Sequence, residues 1–214
     1  MDVLFGNLDA YARGIRTTIG LTLLAFAIAF VLGVLLASFR VSPVPPLRAV
    51  GFAYVFVIRN TPLPVHLFFA FFALPKVGIT FSPFTCAVIG LGGYTAAFIA
   101  ETIRSGFNAV AAGQAEAARA IGLTFPQVLG IVVLPQALRS VVQPVGTLFI
   151  ALTKNSSVAY TISVVEITGV SNTLGNDLAD YPGAFLGAAA AYLILTLPSG
   201  WLVGVIERKV RVKR

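Results

Sequence analysis

The chain has 214 residues, 57% of them hydrophobic and only 11% charged, with a formal net charge of +7. That balance excludes an ordinary soluble domain, where charged residues make up about a quarter of the total. It also excludes a nucleic-acid binder: here the basic residues bracket apolar runs, where such a protein gathers them on one solvated face.

The apolar runs are roughly 20 residues long, the length that crosses a ~30 Å hydrocarbon core as a helix. The chain therefore reads as an all-α polytopic membrane protein, one transmembrane domain over residues 1–214, with lipid as its first partner. The opening "MDVLFGNLDAYARGIRTT" lacks the short apolar core and small-residue cleavage site of a signal peptide, so the first run is expected to stay. The single cysteine, Cys86, lies inside an apolar run and reads as small core filler.

Five spans are predicted, at about 17–39, 49–74, 84–103, 138–152 and 183–206. The first ends at Arg40 and "RVSPVPPLR", whose prolines stop a helix. The second contains "IRNTP", which predicts a helix broken at membrane depth and facing protein or a watery cavity, since broken backbone is not tolerated against lipid. Glu101 and Arg104 mark the end of the third and are expected to pair one turn apart. A polar stretch, "TKNSSVAYTISVVEI", follows the fourth and leads to a loop at "SNTLGNDLADYP". The fifth closes at "ERKVRVKR".

Five spans put the two ends on opposite sides. The 40–48 loop, the 105–137 segment with its flanking arginines, and the tail hold Arg40, Arg48, Arg104, Arg119, Arg139, Arg208, Lys209, Arg211, Lys213 and Arg214. The other side has Arg13, Arg16 and Lys76 beside Asp2, Asp9, Asp177 and Asp180. The excess of Lys and Arg places the N-terminus outside and the C-terminus and the 105–137 segment in the cytoplasm.

Within that segment, "QAEAARAIG" has strong helix formers, Glu116 and Arg119 three apart, and Gly122 where a left-handed C-cap is wanted. Thr124 and Gln127 fit a capping box, with Pro126 tolerated in a first turn, so a second helix is expected to run toward Pro135 along the membrane face. Two turns rich in alanine are marginal alone, which suits docking in another protein's groove; an interfacial linker is the alternative.

"EAARAIGLTFPQVLGIVVLP" resembles the EAA signature of the membrane subunits of bacterial ABC importers, carried by Glu116, Ala117, Ala118, Gly122, Ile131, Leu134 and Pro135. "RNTPLPVHLFFAFFALP", "YTAAFIAETIRSGFNAVAAGQ" and "LPQALRSVVQPVGTLFIALTKNSSVAY" resemble the polar amino acid permeases of the histidine and glutamate type. The resemblance implies a type I importer permease fold in the bacterial cytoplasmic membrane, with a cytoplasmic coupling helix. Gly113, Glu116, Ala117, Ala118, Arg119 and Gly122 would seat that helix in a separate ATPase subunit. The chain has no GxxxxGK[ST] motif, so it is read as a transport subunit and not an enzyme, with no cofactor of its own. ATP and magnesium would sit on the partner. A second permease chain, identical or not, and an extracytoplasmic amino-acid-binding protein complete the implied assembly.

Polar and ionisable groups within spans suggest a substrate pathway. The candidates are Arg59, Thr153, Asn155, Ser156, Ser157 and Glu166. Arg59 has the alternative of pairing with a carboxylate to lock the broken helix, Lys154 of snorkelling, and Asn155 of a hydrogen bond between helices. Many permeases of the resembled group have Asp where this chain has Asn155, which favours glutamate or a related acidic or neutral substrate over a basic one. His66 lacks neighbours for a metal site and reads as packing. The pairs Gly183/Gly187 and Gly200/Gly204 allow close helix contact within the chain or in a dimer. The rivals are a basic amino acid permease, an ion-gradient-driven transporter, which needs no docking helix, and a scaffold, which needs no broken span.

Overall fold

The computed structural model describes residues 6–210; Asp2, Arg211, Lys213 and Arg214 lie outside the described residues. Helix α1 (Leu8–Val41) has 34 residues. At 1.5 Å per residue that is roughly 50 Å, well over the hydrocarbon thickness. It starts before the expected residue 17 because nothing in "YARGIRTT" breaks a helix, and Asp9 in the first turn with Arg40 in the last suits the helix dipole.

α1 enters all three buried clusters, through Leu21 and Ala25, through Ala29, Leu36 and Ala37, and through Tyr11. Its principal neighbour is α4 (Pro83–Asn108). Gly92 lies against Ala25 and Ile28, and Gly33 against Ala96 and Ile99, so the two helices run parallel. A Cβ on Gly33 would come within 2.6 Å of Ile99 Cγ2, so only glycine permits this approach. Close packing through small residues is what holds helices together in lipid, where apolar burial gives little drive.

Helix α2 (Pro45–Arg59) stops at Asn60, and α3 (Leu63–Phe68) resumes beyond Pro62, continuing as a π turn (Phe69–Ala73) and a 3-10 turn (Leu74–Val77). The two halves meet at 108°. Two carbonyls freed by the break are satisfied locally, as Asn60 Nδ2 donates to the Phe56 carbonyl at 2.7 Å and Thr61 Oγ1 to that of Val57 at 2.8 Å.

Helix α5 (Ala112–Ala120) follows α4. Then α6 (Phe125–Gln127), a π turn (Val128–Val133), α7 (Leu134–Asn155) and a 3-10 turn (Ser156–Ile162) run on without a gap. The expected division into a membrane-face helix ending near Pro135 and a span at 138–152 is thus replaced by one stretch from Phe125 to Ile162. The π turn explains it: Leu134 N–H bonds back five residues to the Leu129 carbonyl, and the widened backbone absorbs Pro135, which has no N–H to place.

Helix α8 (Ile167–Leu178) occupies most of the expected "SNTLGNDLADYP" loop. Glu166 caps it by accepting from Gly169 N–H at 3.0 Å, and Ile167, Val170, Ser171 and Leu174 give it one buried face. Helix α9 (Tyr181–Val210) closes the described chain. Among the described residues, Leu8–Val41, Pro83–Asn108, Phe125–Ile162 and Tyr181–Val210 are long and apolar enough to span a membrane, and the bent pair α2 and α3 makes a fifth.

Candidate functional site

The segment between α4 and α7 is built to present α5 outward. After Ala120 the chain reverses in a Schellman motif: Leu123 N–H bonds the Ala118 carbonyl at 3.2 Å and Gly122 N–H that of Arg119 at 2.9 Å. Gly122 takes φ +89°, the left-handed conformation the motif demands. The next helix start is set by Gln127 Oε1, which accepts from Thr124 N–H at 2.8 Å and from Thr124 Oγ1 at 2.9 Å.

Ala118 is the buried residue of α5, packed toward the π turn of Val128–Val133, and the Gln136 amide bonds Gln114 Oε1. That glutamine pair is invisible to local pattern reading because its members are 22 residues apart. Gly113, Glu116, Ala117, Arg119 and Gly122 are exposed, as are Ile121 (80%) and Phe125 (65%). Glu116 and Arg119, expected to favour each other, form no ion pair among the described residues. The outcome is a short helix with two open charges, followed by two bare apolar side chains in and just beyond its turn, and anchored through Ala118.

Every ion pair among the described residues ends on Glu101. Arg40 at the end of α1, Arg59 at the end of α2 and Arg104 one turn along α4 converge on its carboxylate, Arg59 at 3.5 Å. The Arg59 guanidinium also lies 5.4 Å from the centre of the Phe98 ring. The Arg104 partnership was legible in the spacing, whereas those of Arg40 and Arg59 needed the fold. Arg59 thus has the carboxylate partner that its alternative reading requires, at the last residue before the break.

The other polar candidates divide. Glu166 is completely buried, accepts from Tyr192 Oη at 2.6 Å as well as from Gly169, and so joins α8 to α9. Burial raises its carboxyl pKa above the usual range, against the lowering effect of its hydrogen bonds. Thr168 and Tyr192 hydroxyls lie 3.1 Å apart, and Thr18 Oγ1 of α1 accepts from Ile167 N–H at 3.4 Å. Thr153 and Ser156 are buried, donating to the Phe149 carbonyl at 3.0 Å and the Thr153 carbonyl at 2.8 Å. Asn155 and Ser157 are half-buried, and Lys154 is exposed. The six candidates thus do not form one constellation: Arg59 pairs with Glu101, Glu166 bonds Tyr192 and Gly169, and Thr153, Asn155, Ser156 and Ser157 straddle the junction of α7 with its 3-10 turn.

Cys86 is buried with Sγ 3.4 Å from the Ala70 carbonyl, and the His66 ring lies 5.6 Å from that of Tyr94. Gly187 lies under Tyr11, where a Cβ would meet Cζ at 2.5 Å, so this glycine serves packing within the chain.

Residues 29–212 match the family model described as binding-protein-dependent transport system inner membrane component. The chain is similar to the "Probable glutamine ABC transporter permease protein GlnM" of Bacillus subtilis, 35% identical over 98% of this chain and 97% of the relative. It is similar to the glutamate transport system permease protein GluC of Corynebacterium efficiens, 39% identical over 92% of each chain. A crystal structure of an amino acid ABC transporter with histidines superposes with a TM-score of 0.91 at 31% identity, covering 96% of both chains. With an all-helical bundle, a broken second span and an outward-facing EAA segment already in place, the chain belongs to the binding-protein-dependent transport system inner membrane components, as a permease subunit of an ABC amino acid importer.

Proposed function

We propose that this permease carries glutamate or a related acidic or neutral amino acid, and that α5 is the element through which a separate ATPase subunit moves it. The observation that carries the coupling reading is the open face of α5, where Glu116 and Arg119 are exposed and unpaired beside bare Ile121 and Phe125. Such a face offers a partner both charge and apolar area, and its underside is fixed to the span that follows. ATP and magnesium are bound on that partner. Closure of two ATPase subunits draws two such helices together and shifts the spans between inward-open and outward-open states.

The second permease subunit is a copy of this chain or a close relative, and an extracytoplasmic binding protein delivers the amino acid. The basic residues in the last turns of α1 and α9, Arg40, Arg208 and Lys209, support a cytoplasmic placement of α5 and the C-terminus, in a bacterial cytoplasmic membrane. Asn155, the last residue of α7, and Ser157, in the 3-10 turn beyond it, are half-buried and are taken as the pathway residues. The names of the relatives quoted above support an acidic or amide substrate, and an asparagine at 155 agrees with this, presenting no negative charge to repel a second carboxylate. The test is uptake of labelled glutamate, glutamine and arginine by the complex in liposomes loaded with ATP. Competition by glutamate but not arginine is expected; preferential uptake of arginine overturns the substrate assignment.

A further inference from the structure

The arginines around Glu101 outnumber what it can neutralise. Three guanidiniums against one carboxylate leave two positive charges in excess; Arg40, 11% exposed, is closely paired, while Arg59 and Arg104 stand 42% and 36% exposed and carry the excess. A local excess of positive charge beside guanidinium donors that water still reaches favours the binding of an anion there. A cavity of about 350 Å³ adjoins the cluster, between α1, α2 and α4, with Arg40, Arg59, Asn60 and Glu101 on its polar side.

Its apolar wall decides which anion. Phe52 and Phe56 stack with ring centres 5.7 Å apart and are 57% and 59% exposed, so the cavity opens along α2 onto phenyl rings. Arg40 is the penultimate residue of α1, which puts the charges where an apolar span gives way to the headgroup layer. A transported amino acid would bring an ammonium as well, and the one carboxylate lining the cavity is already engaged by three arginines.

We infer that this cavity binds the phosphate of an anionic glycerophospholipid, with Arg59 and Arg40 at the headgroup and Phe52 and Phe56 beneath the glycerol and acyl chains. Bound there, the lipid balances the cluster and steadies the break at Asn60 to Pro62. The site stands apart from the substrate assignment, since none of its residues lies near Asn155 in the chain or shares a cavity with it.

The test uses the complex of the permease with its ATPase subunits, stripped of lipid and titrated in native mass spectrometry with phosphatidylglycerol, phosphatidylcholine and glutamate. Phosphatidylglycerol is expected to be retained in preference to phosphatidylcholine. Arg59→Gln should weaken it about fivefold, the effect of one basic residue at an anionic surface, and Arg59→Lys should restore most of it. Should Arg59→Gln fail to assemble, Phe56→Ala, at an exposed position, should lower retention of phosphatidylglycerol while the preference over phosphatidylcholine persists. Equal binding of the two lipids, phosphatidylglycerol binding indifferent to these substitutions, or displacement of the lipid by glutamate would each overturn the inference.

Discussion

Arg59 Nη1 stands 3.5 Å from Glu101 Oε2, tying the last residue of α2 to α4 immediately before the chain breaks. The same carboxylate holds Arg40 and Arg104. One side chain thus joins the end of α1, the hinge of the broken span and the helix that leads into α5.

Glu101→Gln is accordingly expected to lower stability through loss of three charge-assisted contacts at once, on the order of 1–3 kcal/mol for groups left unsatisfied. Partial exposure places it toward the low end of that range. Thermal unfolding of the detergent-solubilised complex measures it. Arg104→Lys should change the melting temperature less, because two arginines remain on the carboxylate.

The α5 turn yields a sharper separation. Gly122 at φ +89° accepts a Cβ only with strain, so Gly122→Ala should weaken the Schellman motif by roughly 1 kcal/mol. Glu116→Lys reverses an exposed, unpaired charge and leaves the fold alone. Both variants should insert into the membrane at normal levels, and Glu116→Lys should lose stimulated ATP hydrolysis. Stimulation equal to wild type would remove Glu116 from the docking face.

Glu166, a pathway candidate as an ionisable group beside the spans, is a buried carboxylate that caps α8 and accepts from Tyr192. Tyr192→Phe strips one donor from it and should destabilise the protein by about 1–3 kcal/mol. The ratio of glutamate to glutamine uptake should stay fixed. A changed ratio would return Glu166 to the pathway.

Asn155→Asp adds a negative charge to a half-buried position. Uptake of glutamate is expected to fall relative to glutamine, with ATP hydrolysis intact. An unchanged ratio of the two substrates would take Asn155 out of the site.

Much of this architecture was legible from residue order. The length of the apolar runs announced a membrane bundle, "IRNTP" the broken span, and Gly122, Thr124 and Gln127 the turn that presents α5. The features that residue order conceals depend on the third dimension. Pro135 reads as a helix stop, but a π turn over Val128–Val133 absorbs it. "SNTLGNDL" reads as a loop by composition, but Glu166, five residues upstream, caps it into a helix. Arg40 and Arg59 carry no local sign of their shared partner 61 and 42 residues away, since only the packing of α1 and of α2 against α4 brings them together.

In the proposed mechanism α5 receives work done on another chain to move an acidic or neutral amino acid. Uptake of labelled glutamate into liposomes bearing the permease, its ATPase subunits and the binding protein tests it most directly. Uptake is predicted to require ATP on the ATPase side and to vanish in Glu116→Lys. Uptake that survives omission of the ATPase subunits, or that follows an imposed ion gradient without ATP, would contradict it.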